Sequence, residues 1–182
     1  MSVSGIDEIT FGSSDLPTCR RFFDDWGLTL VDEAAQELVF ESLNGCRVRV
    51  AHSDKPGLPQ GIEPDPTLRE VVWGVESQAD LDLYRSRMSS QPGFEDGGVR
   101  VGCLDPNGLS VRVQVSVKRK LDLPCAKTNT WSERGRVNQP APAYDRATPV
   151  EVGHVVFFVL DLNAATVFYQ DVLGFQVSDR YP

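Results

Sequence analysis

The chain is poor in the residues that most chemistry relies on. Among 182 residues there are two histidines, His52 and His154, so no serine, cysteine or lysine can be assumed to have an imidazole base beside it. No GxSxG, Walker A or GxGxxG motif occurs. The four cysteines, Cys19, Cys46, Cys103 and Cys125, form no CxxC pair and match no zinc-knuckle spacing, which points to scattered reduced thiols. Positive charge is scarce: 18 Lys and Arg stand against 26 Asp and Glu, a formal net charge of −8. Nucleic-acid binding needs clustered cations, and Lys118-Arg119-Lys120 is too short a cluster, so no nucleic-acid partner is expected. No apolar run approaches the ~20 residues of a membrane span. Met1 to Asp7 has neither a basic segment nor an apolar stretch of the signal-peptide kind. The expectation is a cytoplasmic protein with no membrane partner.

What is present is a repeated order of elements. Residues 3–12 read as a strand with Ile6, Ile9 and Phe11 apolar. Asp15 is placed to cap a helix, Pro17 falls in its first turn, and Leu16, Cys19, Phe22, Phe23 and Trp26 share helical spacing. Gly27 can end the helix with a positive φ. Strands follow at 28–33, 37–43 and 46–52. Asn44-Gly45 between the last two predicts a type I′ hairpin, which needs positive φ at both central positions.

After a loop at 53–66 with four prolines, the order returns. Residues 67–76 read as a strand, and Ser77 with Asp80 as a capping pair for a helix to about Met88. Leu81, Leu83, Tyr84 and Met88 form its apolar stripe. Strands at 97–104 and 109–117 are joined by Asp105-Pro106-Asn107-Gly108, a turn in which Pro presets φ and Gly supplies a positive one. A further short strand belongs near 92–96. Residues 118–150, poor in apolar side chains, read as a linker wrapping the preceding domain, pinned by Trp131 and Tyr144.

Residues 151–182 start the order a third time. EVGHVVFFVL reads as a strand, Asp161 as the cap of a helix bearing Leu162, Ala165, Phe168, Tyr169, Val172 and Leu173, Gly174 as its end, and 175–179 as the next strand. A shift of 146 residues places Phe11 on Phe157, Asp15 on Asp161, Leu16 on Leu162 and Phe22 on Phe168.

Gly153-His154-Val155-Val156, then Asp161-Leu162, then Phe168 to Phe175, together with the Asp105–Gly108 turn, resemble the vicinal-oxygen-chelate superfamily. Its members include glyoxalases, bleomycin-resistance proteins and type I extradiol dioxygenases. The resemblance implies an α+β fold of paired βαβββ modules. It implies one amino-terminal domain over 1–120, with modules at 1–52 and 67–117, that holds no metal. A linker at 121–150 follows, and 151–182 is the incomplete start of a metal-bearing domain. The layout is most similar to two-domain extradiol dioxygenases, which bind Fe(II) or Mn(II) through two His and one Glu and cleave a catechol-type aromatic substrate. In that family the three ligands take one face of the metal and leave positions open for a chelating substrate.

On this resemblance the first ligand position is His154, with the other two ligands on strands beyond Pro182. A lone histidine on an apolar strand is ordinarily a core residue; the family pattern is what makes it a ligand. His52 is read as a surface residue. Glu8 and Glu70 occupy the matching positions of the first two modules, and Arg112 the second-ligand position of the second. Either glutamate can bind a hard cation, but Arg112 repels a metal and can pair with one of them instead. The alternatives for the whole protein are a glyoxalase-like lyase or isomerase, and a metal-free bleomycin-resistance-like binding protein. Residues 151–182 cannot offset their own ordering entropy as an isolated unit. A homo-oligomer with this segment in the interface is therefore expected.

Overall fold

The computed structural model describes residues 3–123, 129–135, 137–138, 140 and 143–180. Cys125 lies outside them. The first unit forms β1 (Gly5–Ser13), α1 (Leu16–Asp25), β2 (Thr29–Ala34), β3 (Glu37–Glu41) and β4 (Arg47–His52). The second forms β5 (Thr67–Val75), α2 (Gln78–Met88), β6 (Glu95–Asp96), β7 (Arg100–Leu104) and β8 (Ser110–Val115). All strands join one eight-stranded sheet, in the order β2-β3-β4-β1-β5-β8-β7-β6. That order reads as two copies of one pattern meeting at their first strands. β1 pairs with its own β4 in parallel, β5 with its own β8 in parallel, and β1 with β5 antiparallel.

The helix starts follow from capping chemistry. The Asp15 carboxylate accepts from the Thr18 N–H at 3.0 Å, and the Ser77 hydroxyl accepts from the Asp80 N–H at 3.2 Å. Each satisfies a first-turn donor that has no carbonyl four residues back. Gly27 leaves α1 with φ +93°, as the helix-ending role requires.

The two hairpins that close the modules share one geometry, and it is not type I′. Gly45 has φ +87°, but Asn44 is not at positive φ. Gly45 N–H donates to Ser42 C=O at 3.0 Å, and Ser42 N–H to Cys46 C=O at 3.0 Å. This is a three-residue loop with its glycine in the left-handed position. The Asn44 side chain makes it possible: its Oδ1 accepts from Cys46 N–H and from the Ser42 hydroxyl, both at 3.0 Å, so no second positive φ is needed. Asp105 to Leu109 repeats the pattern, with Gly108 at φ +87° and Asp105 Oδ1 accepting from Asn107 and Leu109 N–H.

Strand alternation gives the sheet two different faces. Ile9, Leu38, Phe40, Val48, Val50, Val71, Trp73, Val101, Val111 and Val113 belong to one apolar core that α2 seals with Leu81, Tyr84 and Met88. Leu83, assigned to that stripe from spacing, lies outside it and is 46% exposed. On α1 the apolar face is only half used. Leu16, Cys19 and Phe23 pack against the core, Phe23 reaching Phe11 of β1, while Phe22 and Trp26 stack on each other in solvent, because α1 packs mainly on the β3–β4 end of the sheet.

The third unit departs from its expected form. Helix α3 (Leu162–Asp171) is present, with Asp161 accepting from Ala164 N–H at 2.9 Å and Gly174 at φ +74°. Residues 151–160 and 175–179 form no strand. A strand exists through its ladder, and among the described residues no neighbour offers one to either segment. For α3 the cover is the chain's own first domain: Phe168, Val172 and Leu173 enter the same core, and the Tyr84 hydroxyl donates to Leu173 C=O at 2.8 Å. Phe175 stands edge-on to Trp73, ring centres 4.9 Å apart. Val156, Phe158 and Leu160 stay exposed.

The linker is held differently from the expectation as well. Trp131 and Tyr144 are exposed and pin nothing. The attachment is made by backbone and charge: Leu43 and Asn44 N–H donate to Pro149 and Val150 C=O, both at 3.0 Å, and Arg146 reaches Asp24.

Candidate functional site: a charged cup and a lone histidine

The second face of the sheet is polar at its centre. Glu8 on β1 and Glu70 on β5, 62 residues apart, both point there, because each sits at the same place in its own module. The last strands add a matching pair. In the parallel ladders Thr10 lies opposite Arg49, and Val72 opposite Arg112, so Arg49 and Arg112 are equivalent positions too. Each module therefore places a carboxylate on its first strand and a guanidinium on its last.

The pairs interlock across the two modules. Glu8 accepts from Arg100 at 3.1 and 3.3 Å and lies 3.4 Å from Arg49. Arg49 and Lys55 also meet Glu37. Glu70 accepts from Arg112 at 2.6 Å and from the Ser110 hydroxyl at 2.8 Å, and Arg112 continues to Glu95. Arg100 donates to Gln114, whose amide donates to Asp7, which also accepts from Ser116. Gly102 lies opposite Arg112, where a Cβ would come within 2.7 Å of the Arg112 side chain; its absence gives the arginine room to lie along the sheet.

Glu8 is 1% exposed. Burial alone would raise its pKa, but the hydrogen bonds and charges of Arg100, then Arg49, outweigh it and hold the carboxyl below the usual glutamate value. The expectation that Arg112 pairs with a glutamate at the first-strand position is met by Glu70. The roles of Arg49, Arg100 and Glu37 escaped the sequence reading. The signal was available: Arg49 stands in an alternating strand at the same step from its turn as Arg112.

Two adjoining cavities open on this face. One of about 380 Å³ is lined by Glu8, Glu70, Arg49, Arg100, Arg112 and Lys55. The other, about 630 Å³, shares Arg112 and runs to Ile62, Leu104 and Phe158.

His154 lies in the extended segment before α3 and is exposed. His52 ends β4, half-buried, and its Nδ1 accepts from Asp54 N–H at 3.2 Å. No group of three His, Cys, Asp or Glu side chains that could hold a metal ion occurs among the described residues. His154 by itself is thus one donor of the three the resemblance asks for, and the residues present do not amount to a metal site. Among the described residues no helix is long and apolar enough to cross a membrane.

The fold is an α+β arrangement of two βαβββ modules that share one eight-stranded sheet. Residues 151–182 match the family model described as Glyoxalase/Bleomycin resistance protein/Dioxygenase superfamily. Over 98% of its length the chain is 25% identical to Metapyrocatechase 2 of Cupriavidus necator, covering 55% of that protein. Its fold is that of the Mn(II)-bound glyoxalase from Novosphingobium aromaticivorans (TM-score 0.66, 22% identity, 97% of this chain and 55% of that one). It is likewise that of a catechol 2,3-dioxygenase (TM-score 0.64, 17% identity, 96% and 59%). The superfamily resemblance and the α+β fold read from the sequence are thereby shown. The chain spans about half the length of these relatives.

Proposed function

We propose that this chain forms the amino-terminal part of a metal-dependent extradiol dioxygenase acting on a catechol-type aromatic substrate. The observation that carries this reading is the similarity to a protein named as a metapyrocatechase along 98% of the chain, linker included. In this reading residues 1–120 are a metal-free scaffold domain, and 121–150 are the connection. Residues 151–182 open the metal-bearing domain, with His154 as the first ligand to Fe(II) or Mn(II). The pairing of Glu8 and Glu70 with Arg49, Arg100 and Arg112 supports the scaffold role, since each carboxylate at a ligand position already faces a cation. A cytoplasmic location and a homo-oligomeric assembly complete the proposal. The exposed Val156 and Val167 supply apolar surface for such an interface.

The test uses the whole protein that contains this chain. Purified with its native metal, it should consume oxygen with catechol and hold stoichiometric iron or manganese, and His154→Ala should lose both metal and turnover. Metal content unchanged in His154→Ala refutes the ligand assignment. Isomerase activity on a hemithioacetal without oxygen uptake establishes the glyoxalase-like alternative. Ligand binding by a protein that never retains metal establishes the bleomycin-resistance-like one.

A further inference from the structure

The cup of the first domain has more hydrogen-bond donors than its own carboxylates use. A guanidinium carries five N–H donors. Arg49 directs two toward Glu8 and Glu37, Arg112 two toward Glu70 and Glu95, and Arg100 three toward Gln114 and Glu8. Among the described residues all three Arg100 nitrogens are thus engaged, and Arg49 Nη2 and Arg112 Nη1 are the guanidinium nitrogens of this cup left without a protein acceptor. The cations also lie nearer the opening than the anions. The Arg49, Arg100, Arg112 and Lys55 side chains are 23–33% exposed, whereas those of Glu8 and Glu70 are 2% and 11%.

Four cations and two carboxylates therefore line the 380 Å³ cavity, in a chain whose formal net charge is −8. Glu37 and Glu95 bring the local sum to zero, Glu95 from the wall of the adjoining cavity. The adjoining cavity is different in kind. Beyond Arg112 its walls combine Ile62, Leu104, Phe158 and Leu160 with Glu63 and Glu95, and its 630 Å³ falls within the range of small-molecule sites. The cations stand nearer the mouth than Glu8 and Glu70 at one end, and apolar side chains line part of the other, an arrangement that matches an amphipathic anion.

We propose that this cup binds a small organic carboxylate of the benzoate type. Its carboxylate takes the free Arg49 Nη2 and Arg112 Nη1, and its ring lies toward Ile62, Leu104 and Phe158. The site is built from the first two modules and the segment after His154, and it needs no metal.

Isothermal titration of the chain with benzoate, benzamide and inorganic phosphate tests it. Benzoate should bind with a dissociation constant of about 1 mM or tighter, and benzamide at least tenfold more weakly. Arg49→Met removes one cation yet leaves Glu8 with Arg100 and Glu37 with Lys55, so it keeps each carboxylate paired; it should weaken benzoate at least tenfold. Leu58→Trp, which fills the cavity from its loop wall and touches no ion pair, should abolish binding with an unchanged circular dichroism spectrum. Equal affinity for benzoate and benzamide overturns the proposal. So does binding of phosphate without binding of benzoate, or Arg49→Met with the affinity of the parent chain.

Discussion

Leu173 is the sharpest probe of how the third unit is seated. Its side chain is fully buried, its carbonyl accepts from Tyr84, and it lies in a core shared with β5, β8 and α2. Leu173→Ala removes three carbons and leaves a cavity, a change that costs about 2–5 kcal/mol in well-packed cores. The Tyr84 bond goes to the backbone and survives the substitution, so packing loss dominates, and about 3 kcal/mol is the expected value. In a chain of this size that lowers Tm by about 6–12 °C. Leu162→Ala at the start of α3 is the control: Leu162 is 71% exposed, and its loss should stay within about 0.5 kcal/mol. Urea unfolding followed by tryptophan fluorescence is the assay. Trp73 is nearly buried beside Phe175, whereas Trp26 and Trp131 already stand in solvent, so the signal change reports this junction. Equal midpoints for Leu173→Ala and Leu162→Ala would refute the docking of α3 on the first domain.

Other outcomes follow from the same geometry. The depressed Glu8 pKa means that its contribution to stability is fully present above the ordinary glutamate pKa and is lost as pH falls through the lower folded value; Glu8→Gln should flatten the acid limb of a stability–pH profile. Gly108→Ala forces a side chain onto φ +87° and should cost about 1–2 kcal/mol by chemical denaturation. Burial foremost, with the Asp105 charge, pushes the Cys103 thiol up to about 11. At pH 8 about one thiol in a thousand is then ionised, so Cys103 should resist alkylation in the folded chain and react on unfolding, as mass spectrometry of the labelled peptides would show.

The elements of both complete modules were legible because their signals are local. Asp15 and Ser77 cap helices through their own side chains, Gly27 and Gly174 supply positive φ, and alternation along β8 sorts Val111 and Val113 from Arg112 and Gln114. The hairpin at Ser42–Cys46 was located correctly, but its type was missed, because the Asn44 side chain satisfies the turn instead of the Asn44 backbone adopting positive φ. The pairing of Arg112 with a glutamate followed from opposite charges at facing positions. Which glutamate it takes required the ladder that puts Glu70 within reach.

Sequence alone thus determined the repeat, the module order and the capping and turn residues, all of which depend on contacts a few residues long; His154 as a ligand rests on the family resemblance. Tertiary structure alone decided the rest. It wired Glu8 to Arg100, 92 positions away, left Trp131 and Tyr144 in solvent, and withheld strand pairing from 151–160. It also laid α3 against Tyr84 and Trp73. A ladder and a salt bridge each need a second partner brought from far along the chain. Spacing and hydrophobicity describe one partner at a time, so they say which residues can pair but not which ones meet.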